Sequence, residues 1–599
     1  MNSRATSFRP LHQLHRTIRS LILWVRHKMS DRQFFILSSV VVGLSAGLAA
    51  VALKFFVHQM EGLVTKYSEV YGFWFFAFLP LLGISLTALY VIKILDGNFQ
   101  KGSAEIQYAI AKQSSLLPSS QMYSHVITSA LTVGLGGSTG LESPIVSTGS
   151  AIGSNYARAY ALSYKDRTVL LASGAAAGIA AAFNAPIAGV LFAIEVVLTD
   201  ISLTAFIPLI IAAACGALVS KIILQEGFVM SFTLRQPFDF HNVPFYILLG
   251  LLAGFMALYF ARTFMGTQIL IFKIKNPWLR LGMGGVALAL LIMVFPPLFG
   301  EGYRTVSVLA NLKAALLPHK SIVNTWVHGE WLLLVFLILV MLAKSIAAGL
   351  TLGSGGNGGN FGPSLFMGAY LGFSFARFIN LIGLAQIPET NFALVGMAGV
   401  LSGVFYAPLS AIFLIAEITG GYELMIPLMI VSALSLAVAK YFQPLSMEAK
   451  KLSEKLKHSI ANRDQFLLSK MELNKLIEID FIPLKETDLL QALISAISQS
   501  RRNTFPVLNE QHQLVGLIHL DHVRATIFQT ELYQTVGIKD IMVAPAAVIA
   551  PQDDLHSVLK KFDEAHQWNL PVVENNRYIG FVSKSSILSK YREELMHGL

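Results

Sequence analysis

The chain has 599 residues, 54% of them hydrophobic and 13% charged, with a formal net charge of +10 and a single cysteine. Soluble globular domains carry about 25% charged residues, so the composition excludes an ordinary soluble fold. Cys215, alone in an apolar run, excludes disulfides, zinc sites and thiol catalysis within one chain.

Residues 1–33 hold seven Lys/Arg against Asp31. Cationic flanks of membrane segments stay on the cytoplasmic side, which places the N-terminus inside. The same stretch suits a surface helix on anionic lipid. It is not a standard signal peptide, because Arg26, His27 and Lys28 follow its short apolar stretch without a small-residue cleavage site. The basic balance therefore points to a bilayer and not to nucleic acid. From about residue 34 to 440, apolar runs follow one another with short polar breaks. Examples are FFILSSVVVGLSAGLAAVALKFFV (34–57), FWFFAFLPLLGISLTALYVIKIL (73–95), FYILLGLLAGFMALYFA (245–261) and WLLLVFLILVMLAKSIAAGL (331–350). Roughly 20 such residues span a bilayer as a helix. The expected fold is an all-α polytopic membrane protein.

One stretch breaks the apolar pattern. GGSTGLESPIVSTGSAIGSN (136–155) is rich in Gly and Ser, and its Glu142 is the only carboxylate between Glu105 and Asp166. A helix broken inside a membrane leaves N–H groups without partners. Those groups and the positive end of the helix dipole make an anion site. Glycine allows close approach of the backbone, and proline suits a first helical turn. GLESP (140–144) is thus a helix start at membrane depth, and GSGGNGGNFGP (353–363) is a second. A carboxylate at such a start stands where an anionic substrate would. An intramembrane acid costs ~2.5–3.5 kcal/mol on insertion scales, which makes it a functional candidate by default.

The two starts belong to a duplication. FNAPIAGVLFAIE (183–195) matches FYAPLSAIFLIAE (405–417) at an offset of 222, with Pro186 and Pro408 each nine residues before a Glu. GLESP and GNFGP share Gly-x-x-x-Pro at an offset of 219. Gly/Pro-interrupted segments at matching positions of two halves mark a transporter-like binding site. The halves run roughly over 34–225 and 244–445. Glu195 and Glu417, being repeated, are expected to serve structure through backbone hydrogen bonds.

The character changes near residue 441. A polar, basic linker covers 446–475, and a soluble α/β domain follows. NTFPVLNEQHQLVGLIHLDHV (503–523) aligns with WNLPVVENNRYIGFVSKSSI (568–587), each reading as strand, turn, strand and helix start, with Gly516 and Gly580 equivalent. Amphipathic helices, each N-capped by an acid or its neighbour, precede them over 488–500 and 554–566. No Ser/His/Asp set, metal cluster or P-loop stands out, so an enzyme is not expected.

At these motifs the chain resembles the CLC family of chloride channels and chloride/proton antiporters. GLESP is similar to the family's Gly-x-Glu-x-Pro motif, with Ser143 where a Gly is common, and GNFGP matches Gly-x-Phe-x-Pro. The tail resembles a CBS pair, over 476–530 and 538–592. The resemblance implies a homodimer with one ion pathway per subunit and two halves inverted in the membrane. It also implies cytoplasmic termini, a plasma or inner membrane, chloride as cargo and no catalytic, metal or cofactor site. Glu142 becomes the gate, competing with chloride and swinging away when protonated. Helix-start residues Gly140, Leu141, Gly359, Asn360, Phe361 and Gly362 become the anion ligands, with the Asn360 and Phe361 amides on the central ion.

Three departures from the family pattern follow. The chain reads NFQKGSAEIQYAI over 98–110, so Lys101, or Ser103 with a gap, falls where a chloride-binding Ser belongs; Lys101 either holds an anion or faces water. Glu448 falls where a chloride-donating Tyr belongs, with Tyr441 as the off-register alternative. Val196 stands where antiporters often carry an internal proton-relay Glu, which favours a passive channel over exchange. In the tail, His522 and Ser586 replace the ribose-binding Asp of nucleotide-binding CBS pairs, with Asp521 adjacent to the first. The tail is then expected to serve dimerisation and gating, with adenine nucleotide binding as the alternative. The rivals are an antiporter, the fluoride-exporting branch, and a membrane-anchored sensor without flux.

Overall fold

The computed structural model describes residues 28–71, 73–97, 99, 101–198, 203–224, 236–318, 321–456 and 473–597. The basic segment lies mostly outside them. The chain divides into two compact units, Met1–Ser453 and Glu454–Leu599.

The first half of the membrane unit contains α1 (Asp31–Tyr71), α2 (Phe73–Ile94), α3 (Ser103–Lys112), α4 (Gln121–Gly134), α5 (Glu142–Ala159), α6 (Tyr164–Phe183), α7 (Pro186–Phe192, extended by a π turn over Ala193–Val197) and α8 (Leu203–Leu224). The second half contains α9 (Val243–Phe272), α10 (Pro277–Val294), α11 (Tyr303–Ala310), α12 (Glu330–Gly353), α13 (Phe361–Leu381), α14 (Glu389–Phe405), α15 (Pro408–Ile418) and α16 (Met425–Phe442). A further helix, α17, covers 447–456. Among the described residues seven helices are long and apolar enough to cross a membrane. The helices α5, α7, α13 and α15 begin at the Gly/Pro breaks.

The inverted repeat is visible in backbone detail. Gly136 and Gly355 both have positive φ, at 98° and 117°. Asn184 and Tyr406 both end a helix in the left-handed region, with φ of 53° and 60°. Where α5 crosses α6, a Cβ on Gly149 would lie 2.2 Å from the Gly174 carbonyl oxygen; where α13 crosses α14, one on Gly368 would lie 2.4 Å from that of Gly396. Both crossings therefore need glycine, because helix backbones touch there.

The two Gly-rich loops meet each other. Gly140 N–H donates to Gly359 O at 3.0 Å, and Gly359 N–H donates to Gly140 O at 2.8 Å. Equivalent residues paired in an antiparallel bridge lie on a local two-fold axis. Ser138 N–H donates to Thr351 Oγ1 at 3.1 Å, and Asn357 N–H to Thr132 Oγ1 at 3.0 Å. The same axis relates the two repeated acids. Glu195 accepts from the N–H groups of Leu409 and Ser410 at 3.1 and 2.7 Å. Glu417 accepts from those of Ile187 and Ala188 at 3.0 and 2.8 Å. Each acid caps the short helix of the other half, where its charge meets the positive end of the dipole.

The second unit contains β1 (Leu484–Lys485), α18 (Leu490–Gln499), β2 (Thr504–Leu508), β3 (Leu514–His519), α19 (Leu520–Val523), α20 (Ile538–Ile541), α21 (Leu555–Ala565), β4 (Asn569–Glu574), β5 (Arg577–Ser583) and α22 (Lys584–His597). The strands form a three-stranded sheet, β1-β2-β3, and a two-stranded one, β4-β5. Gly516 pairs with Val507 and Gly580 with Val572, and both hairpins shift register just after that Val. Asp554 caps α21, accepting from Ser557 N–H at 2.9 Å. Asp488 does not cap α18; it accepts from Lys485 N–H at 2.8 Å, and α18 starts after Leu489 without a side-chain cap. The expected linker also differs at its start. Residues 447–456 are helical, and Met447 is buried in the core of the membrane unit. Residues 457–472 of that linker lie outside the described residues, and its last three, from Leu473, open a 3-10 turn over Leu473–Leu476.

Candidate anion site

The helix α5 starts at Glu142, which is 2% exposed. Its Oε2 accepts from Gly362 N–H at 3.2 Å, and its Oε1 accepts from the Tyr303 hydroxyl. The carboxylate thus reaches across the two-fold axis to the first turn of α13. Glycine at 140 is required here, because a Cβ would lie 2.2 Å from Glu142 Oε2 and 2.8 Å from Gly362 N.

The six residues expected as anion ligands divide. Gly140 and Gly359 spend their N–H groups on each other. Leu141 N–H donates to Glu301 Oε1 at 3.0 Å, and Gly362 N–H serves Glu142. Asn360 caps α13, and Phe361 is its first residue. Their amides belong to a turn that has no intrahelical acceptors. Phe361 stands where the first half has Glu142, and its ring is enclosed by Phe183, Phe192 and Phe405 at 5.6, 5.9 and 5.5 Å.

Four ionisable residues beside Glu142 were not singled out in the sequence. Lys54 donates to Ala182 O. Lys344, fully buried, donates to Ser138 Oγ at 2.9 Å and Gly300 O at 3.0 Å. Glu301 and Tyr303 precede and open α11. Lys54 and Lys344 each lie within electrostatic reach of Glu301 and Glu142, and the two acids of each other. Lys54 and Lys344 interrupt apolar runs, and an intramembrane charge is itself the signal that would have found them.

On the α3 side, Lys101 donates to Gly356 O at 2.7 Å and Gly355 O at 3.3 Å. The side chain is half-buried, and its ammonium meets the carbonyls of the second Gly-rich loop. Ser103 is buried at the start of α3. Glu448 is 8% exposed; it accepts from Ala104 N–H at 3.3 Å and from Asn360 Nδ2 at 3.4 Å. Tyr441 is 83% exposed against Phe442 and lies outside this cluster. Val196 is buried, and its carbonyl accepts from Gln107 Nε2 at 2.6 Å.

In the second unit, Asp521 is exposed and pairs with Arg524. His522 lies 5.3 Å from His519, ring to ring. Ser586 N–H donates to Ser583 Oγ at 3.0 Å and its hydroxyl to Ser583 O at 2.9 Å. Among the described residues no group of His, Cys, Asp and Glu could hold a metal ion.

An inverted repeat of broken helices, with backbone amides and buried cations gathered around a carboxylate, defines a membrane anion-transport protein. The chain belongs to the CLC family: a family model described as "Voltage gated chloride channel" matches residues 83–440, and a CBS domain model matches 538–593. A ClcB-like chloride channel protein of Ralstonia nicotianae is 30% identical over 65% of this chain and 90% of its own. The H(+)/Cl(-) exchange transporter ClcA of Vibrio cholerae is 28% identical over 66% of this chain and 84% of its own. A slow cyanobacterial Cl-/H+ antiporter superposes with a TM-score of 0.61 at 22% identity, over 72% of this chain and 99% of its own. A eukaryotic CLC transporter gives 0.58 at 20% identity, over 94% and 98%. At those identities the two structures bear on the fold alone. The family is one of chloride transport, and the protein is an integral, multi-pass membrane protein.

Proposed function

We propose that this protein passes chloride through a channel gated by Glu142, as a homodimer with cytoplasmic termini, and that its tail serves dimerisation and gating. One observation carries the reading: the Glu142 carboxylate occupies the Gly362 amide and the Tyr303 hydroxyl. Those donors suit a halide equally well, so carboxylate and chloride compete for one place. Protonation removes the carboxylate's charge and weakens its hold, which opens the path. Val196 supports passive flow, because a valine cannot carry a proton.

Chloride/proton exchange is the second reading, and it rests on the named activity of the Vibrio relative. It requires a proton route that bypasses Val196. Neither reading includes an enzymatic activity or an adenine nucleotide at the tail.

Chloride efflux from proteoliposomes with clamped potential and recorded external pH decides between them. Efflux without proton movement is expected. Stoichiometric proton uptake would establish exchange, and no efflux at all would leave a sensor. Glu142→Gln is expected to abolish the pH dependence of flux; an unchanged profile would refute the gate.

A further inference from the structure

Glu142 is not the only carboxylate seated on a helix start. Glu448, on α17, takes Ala104 N–H at the start of α3 and the Asn360 side chain at the cap of α13. The geometry points to Glu448 as a second tethered anion, which excludes the transported anion from the α3 end of the path as Glu142 does at Gly362. This inference rests on the anion-transport reading above.

Four observations carry it. First, the donors come from two different helices: a backbone N–H at the positive end of α3, and the side-chain amide of the residue at the N-cap of α13, both meeting one buried carboxylate. Second, the site adjoins the first turn of α13 that Glu142 engages: Glu448 holds the Asn360 side chain, and Glu142 holds Gly362 N–H. The turn carrying the Asn360 and Phe361 amides is thus flanked by two carboxylates. Third, the contacts of 3.3 and 3.4 Å are longer than the ~2.7–3.2 Å of ordinary N–H···O bonds. A weaker hold on the carboxylate leaves a free anion less to displace. Fourth, Lys451 lies 3.7 Å from Glu448 on the same helix and is 39% exposed. It places a cation between this site and solvent, which attracts anions to the site. The other charged groups nearby are Lys101 and Glu105, which bracket Ala104; Lys101 is spent on Gly355 and Gly356.

The test is chloride titration by calorimetry on the full-length protein in detergent, comparing wild type with Glu448→Ala. Vacating the site is expected to tighten chloride binding about tenfold, or ~1.4 kcal/mol. Excess formate, a free carboxylate, is expected to reverse that gain in Glu448→Ala and to leave wild type unaffected. A role in folding alone would not produce the formate effect. Unchanged or weaker chloride binding in a folded Glu448→Ala protein would overturn the inference, as would the absence of binding heat in both proteins. If Glu448→Ala does not fold, Glu448→Gln keeps the shape without the charge; tighter binding is again expected, and identical affinity overturns. The two readings fail separately. Flux that depends on Glu142 with no effect at 448 removes only the second carboxylate, whereas proteoliposomes without flux remove the transport reading itself.

Discussion

The two halves of the membrane unit share a backbone and differ in charge. Ser138 and Asn357 are equivalent, and each anchors its loop on a threonine of the other half, Thr351 or Thr132. Each is also met by an ionisable side chain at equivalent places of α12 and α4. Lys344 donates to Ser138 at 2.9 Å, and His125 lies 3.4 Å from Asn357 through Nδ1. One latch carries a cation beside Glu142 and Glu301, whereas the other is an imidazole under the Phe99 ring. At the helix starts the contrast repeats as Glu142 against Phe361. Duplication supplied a symmetric cradle of amides, and single residues gave its two sides different chemistry.

The largest effect should come from breaking the charged latch. Lys344→Met leaves Glu301 and Glu142 buried without that cation, and removing one partner from a buried charged group costs ~3–5 kcal/mol. A collapse of thermal stability in detergent is expected. Lys344→His, which makes the halves alike, should recover part of it. Equal stability of Lys344→Met and wild type would mean that Lys54 alone balances the acids.

Gly140→Ala attacks the cradle itself. Its Cβ would press on Glu142 Oε2 and Gly362 N, and overpacking of this kind costs ~1–3 kcal/mol. The carboxylate is the softer neighbour, so loss of pH-dependent flux should exceed the loss of stability. A wild-type pH profile would show that Glu142 keeps its seat.

The duplication, the helix starts and Glu142 could be read in the sequence because each rests on local chemistry. A glycine must stand where two backbones touch, and a proline suits a first turn. Lys54, Lys344 and the Glu301–Tyr303 stretch belong to three separate segments, and only the fold brings them to Glu142. Lys54 and Lys344 still left a trace as lone charges inside apolar runs. The expectation that Gly140 and Gly359 bind an anion did not anticipate their pairing, because a bridge between loops 219 residues apart leaves no local pattern. Glu448 was placed in a linker by its polar neighbours, yet Met447 beside it is buried.

The caps offer a sharper comparison. Glu195→Ala and Glu417→Ala each remove a carboxylate from two N–H groups of the opposite half. Losing such a cap costs ~0.5–2 kcal/mol. Similar losses are expected in thermal unfolding, with Glu195→Ala somewhat larger, because Glu195 also accepts from Ser410 Oγ at 2.6 Å. A large inequality would break the structural equivalence of the halves.

The second unit repeats the theme, and there the effect should be smallest. Arg502 donates to Asp480 at 2.7 Å, lies 2.6 Å from Glu478 and stacks 4.6 Å from the Phe481 ring. The second copy has Gln567 at the matching place. The Arg502 hydrogen bond holds the Asp480 carboxyl below its ordinary value. A depressed folded-state value means stability that is fully present above about pH 4, the unfolded aspartate range. It is lost as pH falls through the lower folded value. Asp480 is largely exposed, so solvent and salt screen the pair. Arg502→Gln makes the first copy like the second. Melting of the second unit within the full-length protein, followed from about pH 7 down to about pH 3, should then show a shallower acid-side decline than wild type. Added salt should narrow the difference between the two proteins, because it screens the interaction that the substitution removes. Identical curves in low salt would assign the acid response to other carboxylates of the unit, and would leave the asymmetry between the copies without energetic weight.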